Sequence, residues 1–131
     1  MDISEIKSFL EDNDLSDVEE INQEDNYILL KFYYDFDKEE LIAAKSYSNE
    51  ESDFDVESDE WYNEYYIPFL KDIAEDNVES IIEDVAEEFE IEGRYRAIGM
   101  EAGDLGYLRF IAVFSSEMDE VEMEDILNDY E

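Results

Sequence analysis

The sequence predicts an α+β fold: one acidic domain, 1–131, with a four-stranded, mainly antiparallel sheet of two hairpins packed with about four helices. Three observations predict it. Runs rich in aromatic and aliphatic residues, typical of strands, occur at 26–36 and 107–116. Segments with apolar residues three and four apart, typical of helices, occupy both ends and the middle of the chain. A length of 131 residues allows one sizeable core and is too short for two.

Helical spacing opens the chain. The first helix is predicted from four apolar residues, Ile3, Ile6, Phe9 and Leu10. It follows Asp2 and should end near Asn13. A second short helical turn is predicted from the spacing of Leu15, Val18 and Ile21.

The first hairpin is predicted from a change of texture at Asn26. The run NYILLKFYYDF is typical of a strand, and a turn at Asp37 and Lys38 follows it. The segment LIAAKSYS, 41–48, is then the returning strand.

Two helices are predicted in the middle of the chain. The first has aromatic and apolar residues four apart, at Trp61, Tyr65, Phe69 and Ile73. Pro68 lies inside it and should kink it or start a new segment. Asp76 and Glu79 have capping-box spacing, which predicts the start of the second helix.

The second hairpin and a last helix complete the fold. The residues Gly103-Asp104-Leu105-Gly106 are typical of a hairpin turn between two strands. The later strand is almost continuously apolar, so it should be central and covered on both faces. The C-terminal helix is predicted from Met118, Val121, Ile126 and Leu127, with either Met123 or Glu124 between them.

The charge of the chain is its most unusual property. It has 42 acidic and 8 basic residues, a formal net charge of −34, yet 15% of its residues are aromatic. Disordered acidic segments have few aromatic residues, so the composition indicates a folded domain with a very negative surface. Such a surface destabilises the compact state, because its like charges repel one another. This cost favours a functional role for the negative electrostatic field. Halophilic adaptation is the alternative, but many Ile, Asn and Tyr with little Ala and Gly favour an AT-rich genome instead.

Several function classes are excluded or disfavoured. The chain has no Cys and no His, which excludes disulfides, Cys/His zinc sites and His-based catalysis. It has no phosphate-binding glycine loop and no nucleophile elbow, so we expect no enzyme and no cofactor. It also has no apolar run long enough to span a membrane and no signal segment, so we expect a cytoplasmic protein. Its charge disfavours direct binding of nucleic acid or of an anionic membrane and favours a basic protein surface.

A calcium-binding loop is one interpretation of the acidic stretch that begins at Asp53. A twelve-residue EF-hand loop would place acids at Asp55, Glu57, Asp59 and Glu64. Ser58 occupies the position that requires Gly, and Glu60 the position that is usually aliphatic. The sequence therefore predicts no metal site, and weak, nonspecific divalent binding at most.

The candidate partner-binding surface is acidic, with tyrosines beside it. Its acidic candidates are Glu50, Glu51, Asp53, Asp55, Glu57, Asp59, Glu60, Glu79, Glu83, Asp84, Glu87, Glu88, Glu90, Asp119, Glu120 and Glu122. If 51–59 were extended, alternate carboxylates would form one row about 6.7 Å apart. The aromatic interface candidates are Tyr62, Tyr65 and Tyr66, and burial in the core is the alternative for them.

The three arginines all fall in the second hairpin. Arg94 and Arg96 share one face of their strand, and Arg109 is expected near them. We expect them to neutralise nearby helix carboxylates. A docking patch for an acidic segment, of a partner or of a second protomer, is the alternative.

Acid-rich segments such as ESDFDVESDE, EDVAEEFEIE and SEMDEVEMED in a small folded domain give the chain a resemblance to DNA-mimic inhibitors of phages and mobile elements. Anti-restriction proteins and acidic anti-CRISPR proteins belong to this class. The resemblance covers charge density and size, and no family motif. It implies that surface carboxylates occupy the basic groove of a nucleic-acid-binding protein and inhibit it by competition. Homodimerisation that lengthens the negative surface is compatible with this expectation.

Two other functions remain open at this point. An immunity protein or antitoxin that caps a basic nuclease toxin would use the same charge with a narrower aromatic hot spot. An acidic cytosolic protein that binds calcium weakly is the third.

Overall fold

The computed structural model describes residues 2–101 and 104–130. The elements are α1 (Ile3–Asp12), β1 (Leu15–Glu24), β2 (Tyr27–Asp35), α2 (Lys38–Glu51), α3 (Asp59–Trp61), a π-helical turn (Tyr62–Tyr66), α4 (Ile67–Phe89), β3 (Glu92–Glu101), β4 (Asp104–Ser115) and α5 (Glu120–Tyr130). A single four-stranded sheet and the helices that cover it confirm the predicted α+β fold.

The sheet is antiparallel throughout, with strand order β1-β2-β4-β3. Its larger core lies on the face covered by α1, α2 and α4, where Phe32 and Phe110 stack with ring centroids 5.8 Å apart. A smaller core on the other face packs Ile111 and Val113 against Leu127 of α5. β4 is therefore central and covered on both faces, as its apolar run predicted.

The first hairpin differs from the prediction, because β1 occupies the segment that was expected to form a helical turn. The apolar residues of β1 are three apart since the strand contains two register irregularities, between Ser16 and Glu19 and between Glu20 and Asn22. Each adds a residue to the strand, which turns an alternation of two into a spacing of three. Asp17, at the first irregularity, has a positive φ of 48°. The predicted short helical turn at 15–21 was wrong.

The predicted returning strand at 41–48 was also wrong, since these residues lie in α2. Asp37 caps this helix: its side chain accepts from the Glu40 backbone N–H at 2.8 Å, and Glu40 accepts from the Asp37 N–H at 3.0 Å. This reciprocal capping box starts a helix at the position where a turn, Asp37 and Lys38, was predicted. The hairpin partner of β2 is therefore β1.

The middle of the chain forms one long helix rather than two. α4 continues through Asp76 and Glu79 to Phe89, so the predicted helix start at Asp76 was wrong. Pro68 lies in the first turn of α4, where its missing N–H costs least, and it does start a new segment after the π-helical turn.

A glycine allows α4 to pack closely on the sheet. A Cβ added to Gly93 of β3 would lie 2.9 Å from Ile82 Cγ2 and 2.9 Å from the Phe114 ring, so a glycine lets α4 approach the sheet closely.

The turn of the second hairpin differs from the predicted one. Asp104, Leu105 and Gly106 belong to β4 and not to the predicted turn, while Gly103 lies outside the described residues.

Candidate functional site

All sixteen acidic residues predicted for the binding surface have exposed side chains. They do not form one site. We call the residues Glu50–Glu60 the acidic loop; it runs from the last two residues of α2 to the first two residues of α3. We call the outward carboxylates of α4 the α4 ridge; these are Asp72, Glu75, Asp76, Glu79, Glu83, Asp84, Glu87 and Glu88, with Glu75 partly buried. Asp119, Glu120 and Glu122 lie at the start of α5, and Glu90 caps the end of α4.

These surfaces are separated by the fold. The π-helical turn and α4 run continuously from Tyr62, so along the helix axis Asp72, the first acid of the ridge, lies about 15 Å from Tyr62 and Glu79 lies about 25 Å from it. α5 packs on the opposite face of the sheet from α4. Glu120 is also engaged within the domain, because its carboxylate lies 3.4 Å from the Arg94 guanidinium.

The acidic loop is held in a bent conformation by short-range hydrogen bonds. The Phe54 N–H donates to Ser52 Oγ at 3.0 Å, and the Ser58 N–H donates to the Asp55 carbonyl at 3.0 Å. Glu57 has a left-handed φ of 64°. The alternate carboxylates of 51–59 therefore do not form the extended row that the sequence suggested, because the chain turns at 55–58.

The calcium-loop geometry is not formed either. Ser58 Oγ accepts from the Trp61 N–H at 3.2 Å and caps α3, so the chain is helical from Asp59 onward. Across 2–101 and 104–130, no group of three or more Asp or Glu side chains is placed to hold a metal ion.

The α4 ridge is the longest row of carboxylates on any one helix of the described chain. Buried residues such as Ala74, Val78 and Val85 turn the opposite side of α4 toward the sheet, so its carboxylates face outward. The eight acids from Asp72 to Glu88 span about 24 Å of helix axis, or about 3 Å for each charge. A single strand of DNA carries one phosphate for about every 3.4 Å of axis. The ridge thus has the linear charge density of a nucleic-acid strand.

The field of this ridge is felt at Tyr95 of β3. Burial raises the pKa of the Tyr95 hydroxyl, and the negative charges of Glu79, Glu75, Asp76 and Glu83 raise it further. The hydroxyl also lies 3.5 Å from the Glu75 backbone carbonyl. Carboxylates four residues apart are separated by about 6 Å, less than the Debye length of about 8 Å at physiological salt, so they act together on such a group.

Two arginines of the second hairpin, Arg94 and Arg96, form ion pairs with α5 and not with the ridge. Arg94 pairs with Glu120, and Arg96 pairs with Glu124 at 2.5 Å and also bonds the Asn128 side chain. This confirms the expected neutralisation of helix carboxylates for these two arginines. In the described part of the chain, no carboxylate of the α4 ridge takes part in an ion pair.

The predicted aromatic candidates divide into two groups. Tyr62 and Tyr66 pack on the buried Trp61, with ring centroids at 4.9 and 5.1 Å, so they support the fold. Tyr65 instead faces Tyr47 and Phe54, each with centroids 6.4 Å away. Tyr62 additionally lies beside Glu57, and burial followed by the charge and hydrogen bond of Glu57 raises the pKa of its hydroxyl.

Three further aromatic residues lie around Tyr65 and were not among the predicted interface candidates. They are Tyr47, Phe54 and Phe69, and Tyr47 stacks on Phe69 with centroids 4.9 Å apart. Tyr47 was assigned to a strand. The capping box at Asp37 was the signal that would have placed it on a helix facing Phe69.

No helix within the described residues is long and apolar enough to cross a membrane. Comparison of the chain with family models, with curated proteins and with solved structures gave no match.

Proposed function

We propose that the protein is a nucleic-acid mimic that binds the basic DNA- or RNA-binding surface of a partner protein and inhibits that partner by competition. Restriction enzymes, CRISPR effectors and other cytoplasmic nucleic-acid-binding enzymes are the partner class. The observation that carries the proposal is the α4 ridge, whose eight acids are spaced along the helix much as phosphates are along a DNA strand.

The mechanism follows from this arrangement. Lys and Arg side chains that normally contact phosphates would pair with ridge carboxylates such as Glu79, Glu83 and Glu87, whose ionised oxygens accept charge-assisted hydrogen bonds as phosphate oxygens do. The net charge of −34 would steer a basic partner and speed its association. Because much of the binding energy is electrostatic, the affinity should fall as salt rises.

The cost of the ridge supports a functional use. Like charges four residues apart destabilise a helix by a few tenths of a kcal/mol for each pair. Glu75, Glu79, Glu83 and Glu87 form three such pairs in succession without a cation between them. A helix selected for stability alone would interleave Lys with these positions.

The test is capture followed by competition. The immobilised protein is incubated with lysates of candidate bacterial hosts, and bound proteins are eluted either with duplex DNA or with sodium chloride of the same ionic strength. We expect DNA to release a nucleic-acid-binding protein that the salt leaves bound, and the free protein to block DNA binding by that partner. Captured proteins that DNA does not displace, and that bind DNA normally in the presence of the protein, would overturn the proposal.

A second candidate function is neutralisation of one basic nuclease toxin, as an immunity protein or antitoxin. The observation that favours it is the exposed aromatic group around Tyr47 and Tyr65, because aromatic side chains dominate hot spots of narrow, specific interfaces. This candidate predicts that Tyr47→Ala weakens the binding of a single captured nuclease more than neutralisation of the ridge does. The mimic predicts the reverse order of effects.

A further inference from the structure

A cluster of two exposed and two half-buried aromatic side chains lies at the edge of the acidic loop. We call Tyr47, Phe54, Tyr65 and Phe69 the aromatic cluster. Tyr47 is 41% exposed and Phe54 is 43% exposed, and the neighbouring Val56 is 54% exposed. Exposed apolar groups that lie together mark interaction sites more often than single ones do.

The π-helical turn creates this cluster. The Ile67 N–H donates to the Tyr62 carbonyl, five residues back, so the turn contains one more residue than an α-helical turn. As a result Tyr66, five residues after Trp61, stacks on it, and Tyr65 is directed to Tyr47 and Phe54. π-helical turns are rare and frequently occur at functional sites.

The cluster is surrounded by negative charge along the chain. Phe54 lies between Asp53 and Asp55, and Glu64 precedes Tyr65. Glu51 is one helical turn after Tyr47 on α2, on the same side of the helix. Acidic residues therefore flank the cluster in the sequence, on α2, in the acidic loop and in the π-helical turn.

We propose that the aromatic cluster is a docking site for arginine side chains of the basic partner, and that it makes the protein prefer arginine to lysine. The inference rests on the proposed function for the basic character of the partner, and it adds where that partner is anchored. The fit is one of charge and shape: carboxylates for the positive charge, and ring faces for a flat group.

Arginine fits this site better than lysine for two physical reasons. The guanidinium group is planar and weakly hydrated, so it stacks on an aromatic ring while its N–H groups still reach a carboxylate in bidentate geometry. The lysine ammonium is compact and strongly hydrated, and it interacts as a point charge. A cation on an exposed ring gains about two- to fivefold in affinity, so the preference should be modest at each ring.

The experiment compares two probes on matched variants. Binding of an oligoarginine and an oligolysine peptide of equal length is measured by calorimetry at low and physiological salt. The test variant is Tyr47→Ala with Phe54→Ala. The control is Tyr130→Ala on α5, since Tyr130 is 40% exposed but lies away from the cluster. All variants keep the net charge of −34.

We expect the arginine-to-lysine affinity ratio to fall about two- to fivefold in the test variant and to stay at the wild-type value in the control. If the double alanine variant fails to fold, Tyr47→Leu with Phe54→Leu replaces it and should give the same fall. Equal ratios in all the folded variants would overturn the docking site. This readout does not depend on the competition with DNA: loss of that competition alone would overturn the proposed function and leave the arginine preference standing.

Discussion

Tyr66 stacks on Trp61 with ring centroids 5.1 Å apart and an interplanar angle of 21°, although the two residues are five positions apart in a helical segment. In an α-helix the residue four positions on, Tyr65, would lie over Trp61 instead. Pro68 explains the difference, because it has no N–H for the Glu64 carbonyl and its ring would clash with that carbonyl in a regular α-helix. The wider π-helical turn relieves this clash.

Neighbouring tyrosines should therefore differ in their effect on stability. Tyr66→Ala removes a ring stacked on the core residue Trp61, which is 2% exposed, and should lower the free energy of unfolding by about 2 kcal/mol. Tyr65→Ala removes a half-buried ring that is not packed against the larger core, and it should cost less than about half of that. Urea unfolding measures both values. Equal losses, or a larger loss for Tyr65→Ala, would contradict the assigned packing.

The close approach of α4 to the sheet depends on Gly93. Gly93→Ala would force a methyl group to 2.9 Å from Ile82 and Phe114, so we expect a loss of about 1–3 kcal/mol in the free energy of unfolding. Ile82→Ala removes one of the two obstacles. A double-mutant cycle should show that Gly93→Ala costs less in the Ile82→Ala background than in the wild type. Strict additivity would show that the two residues do not compete for this space.

Alkaline pH should destabilise the fold through Tyr34. Burial, followed by the hydrogen bond to Glu40, raises the pKa of this hydroxyl from 10.0 to about 12. Since the folded pKa is the higher one, the stabilising contribution is complete below pH 10 and is lost as pH rises toward 12. Between these values the unfolded chain releases its proton first, and the free energy of unfolding must fall.

Two variants isolate this contribution in unfolding curves recorded at several pH values. Tyr34→Phe has no hydroxyl to titrate, so its stability should fall less steeply over the same range. Glu40→Gln keeps the tyrosine but removes the negative charge beside it, and should reduce the slope partway. Curves for Tyr34→Phe that run parallel to the wild type would remove Tyr34 as the cause.

The field of the α4 ridge can be measured at Tyr95. Glu79→Gln with Glu83→Gln should lower the pKa of the Tyr95 hydroxyl, while burial still keeps it above its ordinary value. Carbon-13 labelled tyrosine makes this titration visible by NMR, with Tyr95→Phe to assign the signal. Glu20→Gln with Glu24→Gln on the edge strand β1 removes the same amount of charge and should change it less. Equal changes from both pairs would mean that Tyr95 senses only the net charge.

Neutralising carboxylates of the ridge should stabilise the fold while it weakens binding of the partner protein. Glu79→Gln, Glu83→Gln and Glu87→Gln together relieve the repulsion between neighbours and should raise the free energy of unfolding by about 1 kcal/mol at low salt. The gain should shrink as salt rises, because these charges are exposed. A loss of stability at low salt would indicate that the carboxylates make favourable contacts within the fold.

The sequence predicted the α+β class, the β3–β4 hairpin and the exposure of the acidic residues, because strong patterns encode them. The β4 run is apolar at nearly every position, and only a central strand buries both faces. The first hairpin could not be placed, since the irregularities in β1 give a strand the three-residue spacing of a helix. The capping box of Asp37 and Glu40 indicates the start of α2 in the sequence, but residues 41–48 were predicted as a strand.

The surface was predicted in its charge but not in its arrangement. The composition of the acidic loop predicted its charge, yet a turn at Asp55–Ser58 breaks its row of carboxylates. The ridge forms because α4 continues through Asp76. The capping-box spacing of Asp76 and Glu79 instead predicted that a new helix begins there. The aromatic cluster depends on the extra residue in the π-helical turn, and the spacing of apolar residues in the sequence does not predict that extra residue.

The central claim is that the arrangement of the ridge, rather than net charge, imitates nucleic acid. The most direct measurement compares two variants of equal charge for their ability to displace duplex DNA from the captured partner. One carries Glu79→Gln, Glu83→Gln and Glu87→Gln. The other carries Glu20→Gln and Glu24→Gln on β1 and Asp25→Asn directly after β1, all at exposed positions. Each changes the net charge from −34 to −31. We predict that the first variant loses at least about tenfold in inhibition, the equivalent of about 1.4 kcal/mol, while the second inhibits nearly as well as the wild type. Equal inhibition by the two variants would contradict the claim.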